Sequence, residues 1–130
     1  MIYMLDTDTV SNIIRKHVPV ISNLIKHEND DIYISAITYA EISYGLGKKR
    51  SEKLLGEVRL IMEKLSIIIF DDSQSELYGK IRMELEKSIT PLGDMDLLIA
   101  AAALSTGAIL VSRNTKHFSK IKGIKVEDWC

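Results

Sequence analysis

The stretch MIYMLDTDTVS, residues 1–11, decides how the rest of the chain is read. Ile2 to Leu5 form a short apolar run, and the acid-rich turn Asp6-Thr7-Asp8-Thr9 closes it before a helical pattern begins. An apolar run bounded by turn chemistry reads as a buried strand. In open α/β sheets, ligands bind beyond the carboxyl ends of such strands. Asp6 is thus an acid placed where an α/β protein keeps its chemistry, and its partners should come from other strand ends.

Outward from this stretch, helical and strand-like segments alternate. Val10, Ile13 and Ile14, then Val20, Ile21, Leu24 and Ile25 after Pro19, predict a short helical hairpin from Thr9 to about His27. Asp31 to Ser35 (DIYIS) reads as a second strand. Thr38-Tyr-Ala-Glu41 opens a helix expected to end near Gly45 and Gly47, and the basic run Lys48-Lys49-Arg50 follows it. Leu54, Leu55, Val58, Ile61, Met62 and Leu65 mark an amphipathic helix. Ser66 to Phe70 (SIIIF) is a third strand, and Asp71-Asp72-Ser73 caps a helix burying Leu77, Tyr78, Ile81 and Leu85. Pro91-Leu-Gly93 turns into Asp94-Met-Asp96 and the all-apolar LLIAAAAL, residues 97–104, which belongs in the middle of a fold. Ala108 to Val111 is a fourth strand with Ser112-Arg113-Asn114 at its end, Lys116 to Ser119 a single turn, and Ile124 to Val126 a short last strand. The expected fold is a three-layer α/β/α domain with a mostly parallel central sheet, one domain over residues 1–130.

Composition narrows the function classes. At 130 residues and 46% hydrophobic, the chain can build a core, and a formal net charge of −1 predicts no bulk attraction to nucleic acid or membranes. Any polyanion must be met by a local basic patch. The one cysteine, Cys130, excludes an internal disulfide framework and fits a reducing, cytoplasmic setting. Asp6 interrupts the opening apolar run too early for a signal peptide, and residues 97–104 fall far short of the ~20 that a membrane span needs.

Several acids stand at strand ends or helix starts rather than on exposed faces. Asp6 closes strand one, Glu41 lies in the first turn after strand two, Asp94 and Asp96 open the apolar helix, and Asn114 follows strand four. A parallel sheet brings these junctions to one edge. Carboxylates gathered there repel, and each resists ionising. A hard divalent cation resolves this, because Mg²⁺ or Mn²⁺ takes oxygen ligands and keeps waters able to attack a phosphate. Plainer readings stand beside this one. Thr38-x-x-Glu41 has the form of a capping box, Asp94 of an N-cap, and Asp8 of the cap of the first helix. His17 and His27 end helices and are expected in solvent, whereas His117 lies near the fourth strand end.

Four stretches together resemble the PIN-domain ribonucleases, specifically the VapC-type toxins of toxin–antitoxin pairs. MIYMLDTDTVS is similar to their opening strand with the first metal-binding Asp, here Asp6. ISAITYAEISYGL (34–46) resembles the second motif, with Glu41 as its acid, and PLGDMDLLIAAAAL (91–104) the third, with Asp96. ILVSRNTKHFSKIKGIKVEDW (109–129) resembles the closing segment. The resemblance implies endoribonuclease activity with Mg²⁺ or Mn²⁺, held by Asp6, Glu41 and Asp96 with help from Asn114. It also implies an RNA substrate such as tRNA, a cognate antitoxin, a homodimer and no membrane partner. Asp8, Asp94 and His117 become candidates for orienting the ligands, and Arg113, Lys116, Lys120 and Lys122, with Lys48, Lys49 and Arg50, candidates for the RNA backbone. The family often carries a fourth acid in its last segment. Asn114 and His117 stand at the two candidate positions, and Asn ligates without adding negative charge, which predicts weaker metal binding.

Two alternatives remain. Asp6-Thr-Asp8 after a strand also resembles the nucleophile motif of haloacid-dehalogenase-type phosphatases, with Asp8 as acid/base, though this leaves Glu41 without a role. The other is a catalytically weakened PIN-like module that binds RNA or protein, suggested by Asn114 and His117.

Overall fold

The structure is a computed structural model that describes residues 1–88 and 92–130, so Pro91 of the expected turn lies outside the described residues. Five strands, β1 (Ile2–Leu5), β2 (Asp31–Ser35), β3 (Ser66–Ile68), β4 (Ile109–Val111) and β5 (Val126–Glu127), form one sheet in the order β3-β2-β1-β4-β5. All pairs are parallel, with Leu5 in register with Ile34 on one side and Val111 on the other. β1 is central, as the apolar run implied. The chain leaves β1 for β2 and β3 on one side, then crosses to β4 and β5. β1 and β4 therefore flank the point where strand order reverses, the crevice at which α/β sheets bind ligands.

Helices cover both faces. α1 (Thr7–Ile14), α2 (Val18–Lys26), α3 (Ala36–Lys49) and α4 (Glu52–Lys64) share a core with Tyr3, Leu5, Ile34, Ile109 and Val111. α5 (Asp72–Glu86), α6 (Asp94–Thr106) and the single turn α7 (Thr115–Phe118) share the other with Met4 and Leu110. The alternation of Tyr3 and Leu5 against Met4 is the two-residue period of a strand buried on both faces. Ala100 to Ala103 are fully buried in α6, where small side chains let the helix approach its neighbours closely. Gly107 ends α6 at φ +68°, a left-handed C-cap that glycine adopts without strain.

Several local expectations differ, and the last strand covers Val126–Glu127 rather than Ile124 to Val126. The third strand stops at Ile68, not Phe70, because β3 is an edge strand: Ile69 is 75% exposed and its carbonyl accepts from the Gln74 side-chain amide at 3.1 Å. β-Branched residues favour a strand only where neighbours pack against them. α3 starts at Ala36 and runs through both glycines to Lys49. His27 is not in solvent. Its ring stacks on Trp129 (centroids 4.8 Å apart, planes 4° apart), lies 4.5 Å from Tyr3, and its Nδ1 meets Asp30 Oδ2 at 2.9 Å. That hydrogen bond, above all, lowers the Asp30 carboxyl from its usual value.

This stack ties the end of the chain to β1, with Trp129 only 3% exposed. Trp129→Ala is expected to cost about 3–5 kcal/mol of unfolding free energy, as for other buried large aromatics. Urea denaturation measures it, and a loss below about 1 kcal/mol would show that the last residues are not part of the core.

Candidate active site

Asp6 follows β1 directly. Its N–H donates to the Val111 carbonyl at 3.0 Å, carrying the β1–β4 ladder one residue further. Its carboxylate caps α1, accepting the Thr9 N–H at 2.9 Å. The cap is therefore Asp6 itself and not Asp8, and the helix begins at Thr7, two residues before the expected start. Asp6 is only 5% exposed. Burial pushes its carboxyl up, opposed by hydrogen bonds from Ser112 and Thr9 and reinforced by the charge of Asp8. Asp8 is exposed in the first turn of α1.

Glu41 reaches the same region by another route. Ser35 ends β2 and caps α3, accepting the Ile37 N–H at 3.1 Å, so no loop intervenes. Glu41 consequently sits in the second turn, and the Thr38–Glu41 capping box does not form. Thr38 is fully buried inside the helix. Instead, the Thr7 hydroxyl donates to Glu41 Oε1 at 2.6 Å and lies 3.3 Å from the Thr38 hydroxyl. Thr7 thus holds Glu41 against the start of α1, one residue from Asp6. Sequence reasoning missed Thr7, Thr38 and Ser112. The one available signal for Thr7 was a hydroxyl next to a strand-end acid. Partners that orient a ligating carboxylate affect metal sites by about 10- to 100-fold. Thr7→Val should weaken Mn²⁺ binding and RNA cleavage within that range while Thr7→Ser restores both, as titration calorimetry and single-turnover assays would record; an unchanged Thr7→Val would remove Thr7 from the site.

α6 brings the third acid. Gly93, not Asp94, is its N-cap, because Asp94 already has helical geometry at the first position. The Asp94 carboxylate turns to α5, accepting from the Tyr78 hydroxyl at 3.4 Å and lying 3.5 Å from Arg82 Nη1. It is exposed. Asp96, two residues on, is pushed up to about 6 by burial first, then by the charges of Asp6, Glu41 and Asp8. Acids from three segments are thus close enough to oppose one another's ionisation, the situation foreseen for one cleft.

In the last segment, Asn114 caps α7, donates its N–H to Ser112 Oγ at 3.0 Å, and its Oδ1 lies 2.5 Å from His117 Nδ1. His117 carries the proton there if Asn114 accepts. Through Ser112 this pair connects to Asp6. Arg113, Lys116, Lys120 and Lys122 are exposed nearby. The basic run after α3 divides: Lys48 Nζ stands 4.4 Å from the centre of the Tyr44 ring, Lys49 lines a small cavity beside Glu41, and Arg50 lines a groove of about 750 Å³ between α3 and α4.

The donors are hard oxygens, the right chemistry for Mg²⁺ or Mn²⁺. Among the described residues, no three His, Cys, Asp or Glu side chains form a ready cage for an ion. Mg²⁺ keeps several waters, so acids that do not share a direct ligand cage fit it through its hydration shell. Also among the described residues, no helix is long and apolar enough to cross a membrane.

Comparison with known proteins shows the family of the chain. Residues 3–124 match the family model described as PIN domain. The chain is 37% identical over 132 residues to Ribonuclease VapC2 of Rickettsia felis, covering 99% of this chain and 98% of that one. It is 34% identical to the tRNA(fMet)-specific endonuclease VapC of Salmonella typhimurium, covering 98% of each. Its fold is similar to VapBC2 from Rickettsia felis, solved bound to a DNA fragment from their promoter, with a TM-score of 0.93, 37% identity and full coverage of both chains. The phosphatase alternative, which needed Asp8 as acid/base and left Glu41 idle, gains no support from these matches.

Proposed function

Since the chain belongs to the PIN-domain family, we propose that it is a divalent-metal-dependent endoribonuclease of the VapC type, the toxin of a toxin–antitoxin pair. One observation supports the reading: at the carboxyl edge of a parallel sheet, beside its switch point, the charges of Asp6, Glu41 and Asp8 all act on Asp96. Asp6, Glu41 and Asp96 hold Mg²⁺ or Mn²⁺, directly or through water, and Asn114 assists. When bound, the cation supplies an activated water and stabilises charge on the phosphate oxygens. Asp6 presents its carboxylate from a capped, rigid junction, Thr7 orients Glu41, and His117 sets the Asn114 amide.

The substrate is RNA, and the tRNA specificity in the name of the Salmonella relative makes tRNA the first class to test. A cognate antitoxin is the expected protein partner, since similar solved structures are VapBC assemblies, and a homodimer is the form that the family resemblance implies. The 750 Å³ groove, lined by Ile42, Leu46, Leu55, Val58 and Met62, offers that partner an apolar seat. Ile42 and Leu46 also line the cavity at Glu41, so a bound segment could extend to the acids.

Purified chain should cut RNA with Mn²⁺ or Mg²⁺, stop with EDTA, and lose cleavage in Asp6→Ala. Activity that survives EDTA overturns the metal requirement. RNA binding without cleavage by wild type at saturating Mn²⁺ would favour the non-catalytic module.

A further inference from the structure

The acids account for the chemistry but present a negative face to a polyanion, so something beside them must receive the strand. The end of α1 and the end of α3 flank an open hollow of about 190 Å³ next to Glu41. Thr7, Ser11, Arg15, Glu41 and Lys49 are its polar lining. Arg15 is the C-cap of α1 and Lys49 the last residue of α3. Positive charge is favoured at a helix C-terminus, which lets two cations face one cavity without a counter-anion. Among the described residues neither forms an ion pair, and Glu41, whose Oε1 accepts a hydrogen bond from the Thr7 hydroxyl, is more than 4 Å from both. Two positive charges against one negative leave the lining at +1. The Ser11 hydroxyl beside an Arg and a Lys forms a donor set suited to phosphate oxygens.

We propose that Arg15 and Lys49 form a subsite for the RNA phosphodiester next to the one being cut, resting on the nuclease reading above. An RNA strand carries a charge at every linkage, so a site that places one phosphate over Asp6, Glu41 and Asp96 has its neighbour within reach. Anchoring that neighbour fixes the register of the strand over the acids. Glu41 lines the cavity and belongs to the acid cluster, so it is the seam between the two sites.

The test uses a short RNA that the wild type cuts at one position, with and without an uncharged methylphosphonate at the adjacent linkage. The double variant Arg15→Gln/Lys49→Gln should raise KM about tenfold at low salt with kcat within about twofold, because a lost phosphate contact weakens binding. The slope of log affinity against log salt should flatten by about 0.7, the loss of one single-strand phosphate contact. The methylphosphonate should harm wild type and leave the double variant unchanged, a non-additive cycle that scattered surface charge would not produce. Arg15→Lys/Lys49→Arg should keep the wild-type slope, and equal melting temperatures would exclude misfolding. Kinetics equal to wild type in the double variant, with Asp96→Ala inactive, would overturn the subsite and leave the nuclease standing. No cleavage by wild type with Mn²⁺ would overturn both. Inhibition by polyglutamate that needs Arg15 and Lys49, with RNA kinetics indifferent to them, would assign the pair to an acidic polypeptide and overturn the RNA subsite.

Discussion

Asp96→Ala is expected to lower kcat/KM for RNA by at least about a thousandfold, roughly 4 kcal/mol of transition-state stabilisation. The size follows from position. Asp96 lies in the first turn of α6, the buried central helix, and feels Asp6, Glu41 and Asp8 together. Without it, a cation at the sheet edge loses the one acid that comes from the opposite layer of helices. The variant should fold as well as wild type or better, because it removes a charge that burial and three neighbours oppose. Metal-dependent cleavage by the variant within tenfold of wild type would remove Asp96 from the site. Asp94→Ala is the matched control. Its carboxylate serves Tyr78 and Arg82 on α5, so that loss should leave cleavage nearly intact.

The second large effect is a reversal of pH dependence by metal. The folded-state value of Asp96, about 6, lies above its ordinary 3.8, and Asp6 is shifted the same way. The folded protein therefore holds these protons more tightly than the unfolded chain does. Without metal, stability should rise as pH falls from above 6 towards 4, and the cost of the ionised carboxyl is complete above 6. For half-buried Asp96, screening by solvent reduces this to about 1 kcal/mol. A divalent cation binds the ionised form, so its stabilisation should be greatest above pH 6 and fade below it. Thermal melts from pH 4.5 to 8, with and without Mn²⁺, would show curves of opposite slope. Asp96→Asn should melt above wild type at pH 8 in EDTA and lose most of the Mn²⁺ response. Parallel slopes with and without Mn²⁺ would mean that the ion does not bind these acids.

Much of this was legible along the chain because the signals are local. The apolar run 2–5 is a buried strand in any parallel sheet, and an all-apolar helix such as residues 97–104 can only lie inside. Asp71 caps α5 as expected, accepting the Gln74 N–H at 2.9 Å. Capping signals nearby were ambiguous for the same reason. Asp6 and Asp8 both suit the start of α1, and Ser35 and Thr38 both suit the start of α3. Only one of each pair has the extended backbone of a cap, and the end of the preceding strand decides which. Choosing Thr38 put Glu41 in the wrong turn.

The sequence by itself determined a parallel α/β domain with acids at its strand ends and helix starts, because period, polarity and position after a strand are written within a few neighbouring residues. Tertiary structure alone decided what those acids touch. Thr7 grips Glu41 across 34 positions, Asp94 turns to α5 while Asp96 faces the other acids, and His27 stacks under Trp129. It also divided one basic run among an aromatic ring, the Glu41 cavity and the apolar groove. These outcomes depend on how helices from opposite layers meet around β1, and no local pattern encodes a contact whose partner lies dozens of residues away.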